Sequence, residues 1–295
     1  MSVLETETVV AGYDGSAESR RAVWWAASEA VTRSRPLLLV QAFTMPLEEL
    51  TRIHLPTEPI VFDSPHSVAD EEITRMAEQC REQLPDLRVR TETLVGHPAN
   101  VLLDASLRAS VLVLGPPEPS RAQRVLLGST AAELVRRAHV PVITVRGETE
   151  NNQGEGVPVL ERVVVGVDGS THSLRAIAFA HDFAARHQAE LTALLVHPET
   201  GRRGEREQAE PNPIETGRRE LAEAMAGWGE QYPDVVVRQE VTTARRVSDP
   251  LLEAAGHADL LIVGTHGRGI VRAALLGSVS HAVVNYAECP VAIVH

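Results

Sequence analysis

Short apolar runs alternate with helix-length amphipathic segments along the whole chain, and they do so in two cycles. The first cycle has such runs at residues 8–13, 37–42, 87–94, 111–115 and 142–145; the second has them at 162–167, 191–197, 235–242, 260–264 and 291–294. They are short, β-branched and flanked by turn residues, with helical patterns between them, which is the pattern of a parallel sheet covered on both faces. Between them the period is helical. Ser170 can cap a helix in which Leu174, Ile177, Ala178 and Phe183 share a face, and Ser16 opens one that buries Val23, Ala26, Ala27 and Ala30. Trp24 and Trp25 in that helix read as packing or partly exposed residues. Each cycle therefore predicts a doubly wound α/β domain: a five-stranded parallel sheet, order 3-2-1-4-5, with helices on both faces.

The two cycles are copies. VVAGYDGSAESRRAV is answered by VVVGVDGSTHSLRAI, and HVPVITVR by ECPVAIVH; Gly115 and Gly264, Gly128 and Gly277, and Pro141 and Pro290 are all 149 positions apart. A constant offset across three landmarks indicates duplication. Residues 147–158 are polar and aperiodic and read as the linker, giving expected domains at 1–147 and 158–295. The polar stretch 201–217 reads as a long surface loop, and the proline-rich 45–67 as irregular.

Composition narrows the chemistry. With 295 residues and 43% hydrophobic content the chain can build two cores, and a net charge of -12 argues against general affinity for nucleic acid or anionic membrane. No apolar run approaches the ~18 residues of a membrane helix, and MSVLETETVV lacks the features of a signal peptide, so a cytoplasmic protein is expected. All 28 basic residues are arginine, which removes mechanisms that need a lysine, phosphate-loop and protein-kinase chemistry among them. Cys80 and Cys289 form no ligand-spaced set; neither a disulfide framework nor a metal site is expected.

In an open parallel sheet, ligands bind beyond the carboxyl ends of the strands, where the strand order reverses. The order 3-2-1-4-5 puts that crevice between the strands ending in Asp168 and Gly264. The loop from Gly264 to Ser280 suits a polyphosphate: Gly264 and Gly267 are free to take positive φ, while Gly277, Ser278 and Ser280 bring amides and hydroxyls to a helix N-terminus. Arg268 and Arg272 offer positive charge. Asp168 is better suited to ribose hydroxyls or a base amine than to a phosphate, the alternative being a helix cap.

Gly264, Gly267, nine intervening residues, then Gly277-Ser278, together with the aspartate of VGVDGS and the closing CPVAIV, resemble the ATP-binding branch of the universal stress protein family. The resemblance covers nearly the whole chain, twice. It implies ATP, accompanied by magnesium where needed, between strands one and four, with adenine and ribose contacts on Val167, Asp168 and Val196. Phosphate contacts fall on Gly264, Gly267, Arg268, Gly277, Ser278, Val279 and Ser280. In the first domain the matching positions are Tyr13, Asp14, Val40, Gly115, Gly128, Ser129 and Thr130. It further implies tandem domains paired through their last strands, a homodimer and a regulatory protein partner.

The first copy departs from the pattern at Pro116, Pro117 and Glu118. Two prolines remove two N–H donors, and a carboxylate about 4 Å from a phosphate charge costs roughly 1 kcal/mol in water and about 4 at an effective dielectric of 20. That copy either binds nucleotide through Asp14 and Gly128 to Thr130 with its loop opened away, or serves as scaffold. Two functional classes stand: a non-catalytic ATP-binding regulator of the stress response, and a slow ATP hydrolase or nucleotidyl-transfer enzyme, for which His266 is the one histidine inside the loop. The first is favoured because a lone loop histidine is a weak basis for a general base.

Overall fold

A computed structural model describes residues 8–43, 65–116, 127–146, 157–199, 212–267 and 276–295. Most of the expected linker, and residues 45–64 and 201–211 of the two expected loops, lie outside the described residues. The chain divides into two compact units. The first contains β1 (Thr8–Gly12), α1 (Ala17–Thr32), β2 (Leu37–Phe43), α2 (Pro65–Gln83), β3 (Val89–Val95), α3 (Pro98–Ser106), β4 (Ala109–Leu114) and α4 (Ser129–Arg137). Its strands run parallel in the order β3-β2-β1-β4.

The second unit contains β6 (Arg162–Val167), α5 (Thr171–His187), β7 (Glu190–Pro198), α6 (Pro213–Ala224), α7 (Trp228–Gln231), β8 (Val237–Ala244), α8 (Ser248–Ala255), β9 (Leu260–Gly264), α9 (Ser278–Tyr286) and β10 (Val291–Val294). Its order β8-β7-β6-β9-β10 is the expected 3-2-1-4-5, parallel throughout. Val142–Thr144 of the first repeat, β5, also belongs to this unit and pairs antiparallel with β10, Ile143 opposite Ala292. A β10 left at an edge would expose unpaired backbone; β5 covers it.

The continuous apolar runs are buried as two-faced strands require: Val9, Val10 and Ala11 of β1, and Leu260, Leu261 and Ile262 of β9, have no exposed surface. Ser16 and Ser170 cap α1 and α5 by accepting from Ser19 and Ser173 N–H. In α1 the expected face is buried, and Trp24 and Trp25 are buried with it. In α5 the expected face is borne out at Ile177 and Phe183, both fully buried, but not at Leu174, which is 43% exposed, or Ala178, which is half-buried; Ser173, Ala176, Ala180 and Ala184 complete the buried stripe. Small residues let the helix lie close to the sheet, and their spacing, not the larger Leu174, sets the buried stripe.

Two loop expectations are corrected at their ends. Pro213 starts α6 within the stretch read as loop, with Asn212 accepting from Ile214 N–H, and α2 begins at Pro65. Proline at the first helical position loses no hydrogen bond, so a proline-rich stretch can hold a helix start at its end. Among the described residues no helix is long and apolar enough to cross a membrane.

Both thiols are buried, Cys80 and Cys289, and burial pushes each up to about 12. Thiolate, the reactive form, is therefore suppressed in the fold. We expect a disulfide exchange reagent at pH 8 to label neither cysteine of the native protein within the time that labels both in denaturant; rapid native labelling would show that a core opens locally.

Candidate functional site

The site begins with a turn. After β6, Asp168 Oδ1 accepts from Ser170 N–H at 2.9 Å, Gly169 takes a φ of 73°, and Ser170 accepts from Ser173 N–H at 3.2 Å. Carboxylate, left-handed glycine and capping serine together reverse the chain from strand into α5. The first repeat builds the same turn: Asp14 Oδ1 accepts from the N–H and hydroxyl of Ser16 at 3.0 and 2.5 Å, and Gly15 has a φ of 82°. Burial would raise the Asp14 carboxyl, but the hydrogen bonds from Ser16 and Ser19 outweigh it and hold the group below its ordinary value.

Next to that turn ends β9. A Cβ on Gly264 would lie 2.8 Å from His172 Cβ and 2.9 Å from the His172 carbonyl carbon in the first turn of α5. Gly115 meets Glu18 and Ser19 of α1 in the same way, at 2.6 to 2.8 Å. Glycine is thus needed for close approach. The positive φ expected at Gly264 and Gly267 is not found: the left-handed glycines among the described residues are Gly15, Gly96, Gly169 and Gly227. Gly267 is likewise a matter of space, since a Cβ there would fall 2.5 Å from Asp168 Oδ2.

The third component is the start of α9. Gly277 is its N-cap and supplies no side chain to bond the first-turn amides. Its own N–H is used, donating to Thr265 O at 2.8 Å, and the buried Ser280 hydroxyl donates to Gly264 O at 2.6 Å. The hydroxyl expected to face a ligand at Ser280 instead fastens α9 to the end of β9. The N–H groups of Ser278, Val279 and Ser280 are the ones a helix leaves without intrahelical acceptors, and they carry its positive dipole end.

These parts border a cavity of about 780 Å³. β6 stops at Val167, opposite Leu195, while β7 continues through Val196, His197 and Pro198, which pair with Thr242, Thr243 and Ala244 of β8. Glu190 donates toward β6 and Leu191 toward β8. By that alternation Val196 faces the β6 side: the register gives its N–H to Val167 O and leaves its C=O directed to the edge that β6 has vacated. Leu194 and Val196 share a face with Gly166, whose missing Cβ would meet Val263 and Leu251; with Val247 of the α8 side these form an apolar wall. Val167, Asp168, Val196, Gly264, Gly267, Gly277, Ser278, Val279 and Ser280 all line the cavity, as expected from the sequence. Arg268, Arg272, Pro117 and Glu118 lie outside the described residues.

Sequence reading missed Ser173, His197, Glu220, Val247, Leu251 and His281, which also line it. Only His197, beside Val196, carried a local signal. In the first repeat, Tyr13 is buried and Gly128 caps α4 without a side-chain bond, with Ser129 and Thr130 opening that helix as Ser278 and Val279 open α9. Val40 is corrected. Gly12 pairs with Val40 as Gly166 pairs with Leu194, so the counterpart of Val196 is Ala42. Val40 is buried inside the sheet and its carbonyl accepts from Tyr13 N–H at 2.9 Å.

Comparison with known proteins agrees with this geometry. A model described as the universal stress protein family matches residues 5–146 and again 160–295. A universal stress protein of Mycolicibacterium smegmatis is 35% identical over 294 residues, covering 97% of this chain and 96% of that protein. One from Mycobacterium tuberculosis is 33% identical over 293 residues, covering 96% and 95%. The crystal structure of a universal stress protein from Archaeoglobus fulgidus has the same fold, with a TM-score of 0.64 at 18% identity over 98% of both chains.

Gly264→Ala isolates the close approach. The added methyl must displace the first turn of α5, and we expect it to lower stability by about 1–3 kcal/mol in urea unfolding. A loss below roughly 0.5 kcal/mol would mean that the turn yields freely and that the glycine serves some other end.

Proposed function

The chain belongs to the universal stress protein family, and within it we propose an ATP-binding regulator that holds the nucleotide in the second repeat and acts through conformation or choice of partner. The observation that carries this reading is the cavity itself. One end offers the unspent amides of Ser278, Val279 and Ser280 at the positive end of α9; the other offers the apolar wall of Leu194, Val196 and Leu251 and the open backbone carbonyl of Val196. Anionic at one end, flat and apolar at the other, is the chemistry of a nucleotide. Asp168, one Oδ1 bond already given to Ser170, lies between them and suits ribose hydroxyls.

In the sequence Arg268 follows Gly267 and would serve the phosphates of bound ATP, whose charge an accompanying magnesium ion would neutralise. The first repeat, with Asp14, Gly115, Gly128, Ser129 and Thr130 but with Pro116 in its loop, is the weaker site. The protein works in the cytoplasm, as a homodimer, on a protein partner. Regulation rather than turnover is favoured by a sequence without lysine, which removes the usual positioned cation of phosphoryl transfer.

Calorimetric titration of the full chain tests this. ATP should bind chiefly one site per chain; Gly277→Glu, which sets a carboxylate at the mouth of α9, should weaken it at least about tenfold, and Gly128→Glu by less. Equal losses would remove the inequality of the repeats, and no binding by the wild type would remove the nucleotide reading. Steady-state hydrolysis should stay below roughly 1 s⁻¹. A faster rate that His266→Ala abolished would favour the hydrolase instead.

A further inference from the structure

A histidine stands beside the mouth of α9. A Cβ on Gly277, the N-cap, would lie 3.4 Å from His266 Cα, so His266 packs directly against the helix end whose amides border the cavity. Its backbone is held from both sides: the preceding Thr265 N–H donates to Val294 O at 3.0 Å, and Ser170 Oγ donates to His266 O at 3.4 Å. Its ring lies 5.4 Å from the ring of His172 in the first turn of α5, tilted by 53°. His266 is partly exposed and lines the cavity.

Charge gives that position its interest. Among the described residues that line the cavity, the titratable ones are Asp168 from the turn after β6, His197 of β7, Glu220 of α6, His266, and His281 of α9; Val247 and Leu251 on the α8 side carry no charge. His197 Nε2 and Glu220 Oε2, 3.8 Å apart, are closed to solvent. His281 brings its Nε2 within 3.5 Å of Asn285 Nδ2, along the helix and away from its mouth. His172 sits two residues past the cap of α5, where the positive helix end opposes a proton on its ring. His266 is thus the group at the phosphate end, among the described residues, that can pass from neutral to positive, in a cavity whose two carboxylates repel a polyanion.

We propose that His266 couples nucleotide binding to proton uptake, so that the second repeat holds a nucleoside polyphosphate more tightly as the solution goes from about pH 8 to about pH 6. This rests on the nucleotide reading above. Phosphates at the mouth of α9 favour the imidazolium over the neutral ring and raise the pH at which His266 titrates in the complex. The extra binding is fully present below the titration midpoint of the free protein and is lost as pH rises through that of the complex. Arg268 keeps its charge throughout this range and contributes no pH dependence.

The experiment is titration of the full chain with ATP at about pH 6 and about pH 8, in the wild type, His266→Gln and His257→Gln. His257 is an exposed histidine beyond the far end of α8 and outside the cavity. The terminal phosphate of ATP takes up a proton over the same range, so the comparison is between proteins and not between pH values alone. We expect the ratio of ATP affinity at the lower pH to that at the higher to be at least about threefold larger in the wild type than in His266→Gln, and His257→Gln to keep the wild-type ratio. An NMR titration of the His266 ring in the wild type reads the same linkage without a variant: saturating ATP should raise its midpoint by at least about 0.5 pH unit. A ratio in His266→Gln within about twofold of the wild type's, or a His266 midpoint that ATP leaves in place or lowers, overturns this proposal alone. Failure of the wild type to bind ATP at either pH overturns it together with the reading on which it rests.

Discussion

Everything in the site depends on how closely the first turn of a helix can approach the end of the third strand that follows it in the chain. A Cβ on Gly264, the last residue of β9, would lie within 3 Å of His172, and the same contact recurs between Gly115 and α1. Once that approach is made, the remaining parts are fixed by short bonds. Ser170 Oγ donates to His266 O at 3.4 Å, and Ser280 Oγ to Gly264 O, so the turn after β6, the end of β9 and the start of α9 are drawn together. The small residues at these positions are there because backbone meets backbone.

The cavity then follows from unequal strand lengths. β6 ends early because the Asp168 turn reverses it into α5, and β7 runs three residues further with one edge paired to β8. The other edge opens on the space above β6. An apolar wall on the α8 side and His197 with Glu220 on the α6 side come from the alternation of side chains along one strand. A single strand thus supplies both a greasy and a polar boundary.

The repeats share this plan and spend it differently. Asp14 gives one oxygen to both the amide and the hydroxyl of Ser16, whereas Asp168 receives the Ser170 amide and lies against Gly267. Tyr13 replaces Val167 at the end of the strand, and Pro116 follows Gly115 where Thr265 follows Gly264. Thr265 O accepts from Gly277 N–H in the second repeat.

Much of this was legible in the sequence. Duplication, alternation of strand and helix and the residues Asp168, Gly264, Gly267, Gly277, Ser278 and Ser280 are carried by local pattern, because period, capping and glycine spacing act over a few residues, whereas Val167, Val196 and Val279 rested on the family resemblance. Register was not legible. Val40 was two residues from its place because continuous apolar runs carry no internal mark of where pairing begins, and only the partner strand shows that Ala42 matches Val196. Nor was the use of each group: Ser280 could have faced a ligand, and packing turned its hydroxyl to Gly264. Glu220, Val247 and Leu251 reach the cavity from helices far along the chain, so their place was decided by the crossing of those helices over the sheet. The sequence determined which elements form and which residues stand at their ends; the tertiary structure decided which of those ends meet, since contact between distant segments depends on packing that no local pattern encodes.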